Sequence, residues 1–327
     1  MRVLVTGGAG YIGSHVVTAL HAAGHDVLVV DDLLRGHRDE VDGAPIEQVH
    51  LAEDDAADRL SALMAAHGTD AVMHFAARKQ VGESVAKPAW YYRENIGGLA
   101  NLLLGMESAG VTRLVFSSSA AVYGAAEGAA IDEDVEPRPI SPYGETKLFG
   151  EKLITAAAAG FGLRAVSLRY FNVAGAASPE LGDPAALNLI PMVFERLDAG
   201  EPPRIFGDDY DTPDGTCVRD YIHVADLAEA HTASLSALQD AAPGNLVFNV
   251  GTGRGTSVRQ IVDRVLSISG SALEPVVVPR RPGDPGYVVG SPARIAAAIG
   301  WTARHTVDDM IESAWAAHLA HVGHAPV

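Results

Sequence analysis

The chain predicts an α/β protein built on a doubly wound parallel sheet, followed by a smaller α/β region, and three observations predict it. Apolar strand candidates at 2–5, 26–30, 46–49, 71–75, 113–117 and 164–169 alternate with helical stretches at 14–23, 55–67, 89–109 and 142–159, the rhythm a parallel sheet requires because each strand returns through a helix. Glycines 7, 10 and 13 occupy the first strand-to-helix turn. After Asn172 the alternation breaks into loops rich in Pro, Gly and Asp at 176–188 and 201–217, shorter helices, and isolated strands at 246–250 and 275–279. The expected division is a dinucleotide-binding domain over 1–172 and a ligand-covering domain over 173–327, some of whose segments return to the first. Ligands of open α/β sheets bind beyond the carboxyl ends of the strands, so the second part is expected to close the site.

The opening segment specifies the ligand class. Val3, Leu4 and Val5 make a short buried strand, and the apolar spacing of 14–23 makes a helix that stops at Gly24. Between them Gly7 permits a tight turn, Gly10 lets backbone approach a pyrophosphate, and Gly13 lets the helix pack on the strand. Tyr11 and Ile12 belong to the same loop. The phosphates then meet the amides of a helix N-terminus. Asp31 ends the next apolar run, 31−13 = 18 residues after Gly13. A carboxylate there accepts from both ribose hydroxyls and repels a 2′-phosphate, which favours NAD over NADP; Arg35 is the one nearby residue that argues the other way.

Composition narrows the partners. There are 41 acidic residues against 24 Lys and Arg, a net charge of −17, which argues against nucleic acid or an anionic membrane as partner. An anionic ligand must be held by local cations. The single cysteine, Cys217, excludes an intramolecular disulfide and a multi-cysteine metal cluster, and no metal site is expected. No apolar run has the length of a membrane span or the form of a signal peptide, so the expected compartment is the cytoplasm.

The chemistry is expected from two segments. The strand 113–117 ends in Ser117, Ser118 and Ser119, placing hydroxyls at the carboxyl edge where a nicotinamide would lie. Further on, SPYGETK at 141–147 offers Ser141 as helix cap and Pro142 in the first turn, with Tyr143 and Lys147 on one face at i,i+4. An ammonium beside a phenol stabilises the phenolate, lowering its pKa from ~10 toward working pH so that it can act as a general base on an alcohol. The pair, set between a NAD loop and a serine-ended strand, reads as a hydride-transfer site.

These segments, with HFAARKQVGES at 74–84, LRYFNVAG at 168–175 and the aspartate-rich stretch 208–224, resemble the extended short-chain dehydrogenase/reductase family, and within it the branch that epimerises UDP-sugars at C4. The resemblance covers nearly the whole chain and implies a Rossmann domain with a nucleotide-sugar-binding domain after it. It implies NAD-dependent 4-epimerisation of a UDP-hexose, glucose against galactose and also their N-acetylated counterparts, through a 4-keto intermediate; a uronic acid or pentose substrate stays open. Tyr143 would take the proton from the sugar 4-hydroxyl, Ser119 would hydrogen-bond that oxygen, and Lys147 would bind the nicotinamide ribose. Lys79 and Asn95 match cofactor-contacting positions. Asn172, Asn188, Arg219 and Arg281 would hold phosphates and uridine, with Asp284 on the uridine ribose. The family's gate beside the sugar falls on Val288, or on Tyr287 if the register shifts by one. The usual Gly-Asp pair after the third strand, which contacts the adenine, is absent, leaving Glu53, Asp54 or no contact in its place.

Two rival functions are weighed. Dehydratases and decarboxylases of the same family place a carboxylate just after the strand-end serine or threonine, where this chain has Ala120 and Ala121. A non-catalytic NAD-binding regulator is expected to lose Ser119, Tyr143 or Lys147, and all three are present. A homodimer is expected from the resemblance, through 89–109 with Leu99, Leu102, Leu103 and Met106, and 142–159 with Leu148, Phe149, Leu153 and Ile154.

Overall fold

The computed structural model describes residues 1–126, 130–183, 185, 187–281 and 283–322. Six strands, β1 (Arg2–Thr6), β2 (Asp26–Asp31), β3 (Ile46–Gln48), β4 (Ala71–His74), β5 (Arg113–Ser117) and β6 (Arg164–Tyr170), alternate with helices α1 (Tyr11–Ala22), α2 (Ala56–His67), α3 (Val81–Ala86), α4 (Pro88–Tyr92), α5 (Gly98–Ala109) and α6 (Pro142–Phe161). The strands pair only in parallel, in the order β6-β5-β4-β1-β2-β3. The order reverses between β1 and β4, which leaves a crevice beyond their carboxyl ends, the usual ligand position of this architecture.

The remaining elements are β7 (Asn172–Ala174), α7 (Leu189–Asp198), β8 (Arg204–Phe206), β9 (Val218–His223), α8 (Val224–Ala237), β10 (Gly244–Val250), β11 (Gly255–Ser257), α9 (Val258–Ser269), β12 (Val276–Val278), β13 (Tyr287–Val288), α10 (Ala293–Ile299) and α11 (Val307–Val322). Two of the strands expected to stand alone are paired. β10 joins the main sheet as its seventh strand, register Gly244↔Arg164 to Val250↔Tyr170, and β12 pairs with β8. A strand read from local pattern shows no partner, because the partner of β10 lies 80 residues earlier in the register. The smaller sheet runs β11-β9-β13, with β7 also on β9.

Each face of the main sheet buries one row of side chains. Val3 and Val5 meet Val16, Val17 and Leu20 of α1 and Leu227 of α8 on one side; Leu4 and Leu114 meet Leu60, Leu99, Leu102, Met106 and Ile154 on the other. This alternation is the period of two that a strand imposes. A third cluster, including Phe194, Ile205, Ile261 and Met310, sits in the second part.

Two expectations change here. The helix expected over 89–109 is broken by a π turn at Arg93–Gly97, the kind of insertion that commonly marks a functional site. Leu99, Leu102, Leu103 and Met106 are buried in the protein's own core at 5% exposure or less, as is Ile154, because α5 and α6 must cover the sheet. Leu148 and Leu153 are partly buried against internal clusters. Leu104 and Phe149 are the large apolar side chains of these two helices that face outward, at 55% and 47% exposure.

Candidate active site

At the crevice, backbone geometry explains the glycines. Gly7 has φ +72°, and a Cβ on it would stand 2.5 Å from the Ala76 nitrogen; one on Gly13 would stand 2.1 Å from the Gly7 oxygen. A Cβ on Gly10 would meet only the Gly7 oxygen at 3.6 Å and otherwise project into the cavity, where a ligand must come close. Gly10 caps α1 without a side chain, so the first-turn amides stay open to an anion. Asp31 accepts from the Ala9 and Leu33 amides at 3.0 and 2.9 Å. Burial pushes its carboxyl up, and these bonds oppose the shift. The loop therefore fits a dinucleotide: space without side chains for the pyrophosphate, and a fixed carboxylate one strand away for the ribose.

A cavity of about 490 Å³ runs from this loop to Ser119, Tyr143, Lys147 and Val288. Tyr11, Ile12, Lys79, Asn95, Asn172, Asn188 and Arg219 also line it. The Tyr11 hydroxyl donates to the Gly175 carbonyl at 2.6 Å, tying α1 to the loop after β7. The side-chain amide of Asn95 is occupied by protein: its oxygen accepts from the Arg78 amide at 2.8 Å, and its nitrogen donates to the Arg78 carbonyl and to Thr146 Oγ1.

Ser141 caps α6 by accepting from the Gly144 amide at 3.2 Å, with Pro142 in the first turn. This start places Tyr143 and Lys147 one turn apart beneath β5. The Lys147 ammonium donates to the Ser117 carbonyl at 2.7 Å and lies 6.0 Å from the centroid of the Tyr143 ring. Ser119 lies near enough to the Tyr143 phenol to lower its pKa and accepts from the Ala121 amide at 3.2 Å. The expected acidification of Tyr143 by Lys147 is not seen. Burial raises the phenol's pKa, Tyr170 adds to the rise, and Ser119 only opposes it. Burial also lowers Lys147 to about 8, against the raising influence of Glu151. Two polar groups removed from water both favour their neutral forms.

Beyond Arg219 a second cavity of about 940 Å³ holds Asn172, Asn188, Arg219, Arg281 and Asp284. Arg281 lies 3.9 Å over the Phe206 ring. Asp284, expected on a ribose, forms a salt bridge to Arg219; Asn188 donates to Asp183 at 2.8 Å, and Asn172 to the Asp220 carbonyl at 3.2 Å. Val288 pairs beside Arg219 in register and lines the first cavity. Tyr287 is the next position on the strand and turns its hydroxyl toward Gly255, as alternation dictates.

At the ribose end the cavity wall adds residues. His50, Leu51 and Ala52 line it just before Glu53 and Asp54. Asp32, Arg78 and Glu94 join them, carried by the π turn and by a pairing across 46 positions; no local pattern announces either. Tyr170, which shares a hydrogen bond with Ser117 at 2.9 Å, was also missed. Among the described residues no group of His, Cys, Asp or Glu is placed to hold a metal ion. Nor is any helix among them long and apolar enough to cross a membrane.

Residues 3–251 match the NAD dependent epimerase/dehydratase family. The chain is 47% identical over 320 residues to the UDP-glucose 4-epimerase of Azospirillum brasilense, covering 96% of this chain and 90% of that one. It is similar to the UDP-glucose 4-epimerase of Stenotrophomonas maltophila, solved with bound NAD and formylated UDP-arabinopyranose, with TM-score 0.92, 40% identity and coverage of 99% and 100%. It is also similar to the UDP-Glc/GlcNAc 4-epimerase of Campylobacter jejuni, with TM-score 0.84, 34% identity and coverage of 97% and 98%.

Proposed function

The chain belongs to the NAD dependent epimerase/dehydratase family, and from that membership we propose that its site inverts C4 of a UDP-hexose, interconverting UDP-glucose and UDP-galactose. It is an isomerase that uses NAD. The observation that carries the reading is the convergence of Ser119, Tyr143 and Lys147 on a cavity lined at one end by the glycine loop and at the other by Arg219, with alanines at 120 and 121 where an eliminating enzyme needs a carboxylate.

The residues act as follows. Gly7, Gly10, Tyr11, Ile12, Gly13, Asp31, Lys79, Asn95 and Lys147 surround the place of the cofactor. When bound there, NAD would supply reversible hydride transfer at the sugar's C4. Tyr143 moves the proton at the substrate 4-oxygen while Ser119 hydrogen-bonds that oxygen. Arg219 and Arg281, with Asn172, Asn188 and Asp284 around them, hold the nucleoside diphosphate, the guanidinium fork being suited to phosphate oxygens. These cations answer the −17 net charge, since surface charge is screened beyond about 8 Å at physiological salt. The 4-ketose turns about its diphosphate linkage and is reduced on its other face.

The experiment follows the label. UDP-galactose deuterated at C4 is expected to give UDP-glucose that keeps its deuterium, read by mass spectrometry, with no net formation of NADH. Loss of label to water contradicts the mechanism.

Acceptance of N-acetylated sugars is supported by Val288, whose small side chain faces the cavity while Tyr287 faces away. Val288→Tyr is expected to suppress turnover of UDP-N-acetylglucosamine much more than of UDP-glucose, because added bulk penalises the larger sugar. Equal loss on both substrates, in parallel kcat/KM measurements, rejects this gate.

Two further properties belong to the same reading. The outward Leu104 and Phe149 support a homodimer through α5 and α6; light scattering at micromolar concentration should read twice the chain's 34.1 kDa. The division at residues 172/173 separates the cofactor part from the nucleotide-sugar part, and the unpaired, buried Cys217 suits a reducing compartment, the cytoplasm.

A further inference from the structure

We propose that Asp32 and Glu94 hold the cofactor choice at NAD by occupying the guanidinium of Arg78, which stands beside Asp31 where an added 2′-phosphate would seek a cation. The inference rests on the NAD reading and asks what excludes its phosphorylated analogue.

Acceptance of a ribose phosphate needs a guanidinium with free donors near the end of the second strand. Arg78 is well placed for that, and its Nε and Nη2 donors are taken by carboxylates. Its amide and carbonyl are both fixed on Asn95. Its guanidinium donates to Asp32 at 2.6 Å and to Glu94 at 2.9 and 3.2 Å, and lies 5.4 Å from the Trp90 ring centroid. Side-chain exposure is 13% for Arg78 and 6% for Glu94, so neither partner is lent by solvent. His50 is also fixed on Glu94, at 2.8 Å.

The electrostatic sum runs the same way. Two carboxylates share one guanidinium, and Asp31 adds a third negative charge. Arg78 and Asp32 both act on the Asp31 carboxyl, the first lowering and the second raising its pKa, so all three groups lie within electrostatic reach of the ribose position. A phosphate arriving there meets excess negative charge and a guanidinium already neutralised through Nε and Nη2. Arg35, the other nearby cation, is diverted across the cavity: with the Gln80 amide oxygen facing it, Gln80 accepts from Arg35 at 2.9 Å, and Glu83 adds its charge. The π turn makes the arrangement possible, since it brings the consecutive residues Glu94 and Asn95 to the same cavity wall.

The test uses the purified enzyme, equilibrated with equimolar NAD and NADP and freed of unbound nucleotide, with the bound dinucleotides quantified by chromatography. Wild type should carry NAD. Asp32→Asn combined with Glu94→Gln should raise the bound NADP to NAD ratio about tenfold, the gain of one charge-assisted hydrogen bond, and adding Arg78→Met should remove that gain. Asp32→Asn alone, at a part-exposed side chain, should raise the ratio by a smaller factor and does not depend on tolerance at Glu94. A ratio unchanged in both variants, or a gain that survives Arg78→Met, overturns the inference while leaving the NAD reading intact. A wild type that binds neither dinucleotide overturns both.

Discussion

Replacing Tyr143 by phenylalanine is expected to cut turnover by ~10²–10⁴-fold, the range for loss of a positioned proton-transfer group, with NAD still bound. The ring is 8% exposed, so phenylalanine keeps its packing, and Lys147 keeps its bond to the Ser117 carbonyl. What is lost is the one hydroxyl that both meets Ser119 and faces the cavity from the catalytic helix. The raised pKa of that phenol sharpens the expectation. A buried neutral tyrosine is a poor base alone, so its proton transfer depends on positive charge delivered nearby, by Lys147 and by the oxidised nicotinamide when present. Turnover near wild type, measured by separating the UDP-hexose epimers after a fixed time, rejects Tyr143 as the proton carrier.

The sequence was informative where function constrains consecutive residues. The glycine loop, Asp31 and the pair at Tyr143 and Lys147 each place their chemistry within one turn of chain, and the structure finds all of them around the same cavity. It was uninformative where the site depends on distant pairing. Arg78 meets Asp32 across 46 positions and Glu94 across 16, and nothing in the composition of 93–97 distinguishes a π turn from continued helix. The apolar stripe of α5 misled for a related reason. A helix that covers a sheet has one buried face in any case, and Leu99, Leu102 and Met106 are that face, so apolar content alone could not identify a surface for a second copy. Nor does local spacing reveal the burial that raises the pKa of Tyr143.

Arg169→Met is expected to lower the free energy of unfolding by about 3–5 kcal/mol, the cost of leaving a buried charge without its partner. Arg169 and Glu151 are each 6% exposed in their side chains and form two bonds, Nε to Oε1 at 2.9 Å and Nη2 to Oε2 at 2.6 Å. The same guanidinium donates to the Tyr123 hydroxyl at 2.9 Å, which donates on to Asn249 at 2.7 Å. Glu151 also accepts from Ser118 at 2.6 Å, so the network clamps α6 to the serine-ended edge of β5 directly behind Ser119. Methionine fills much of the volume but leaves the carboxylate facing an apolar side chain. The double variant Arg169→Met/Glu151→Met should recover much of the loss, because replacing both ions of a buried pair by apolar groups is often near neutral. Chemical denaturation of the wild type, the single variant and the double variant measures both steps. A single-variant loss below about 1 kcal/mol, the range of an exposed pair, would mean that water reaches this pair and that the serine edge is held by something other than the clamp.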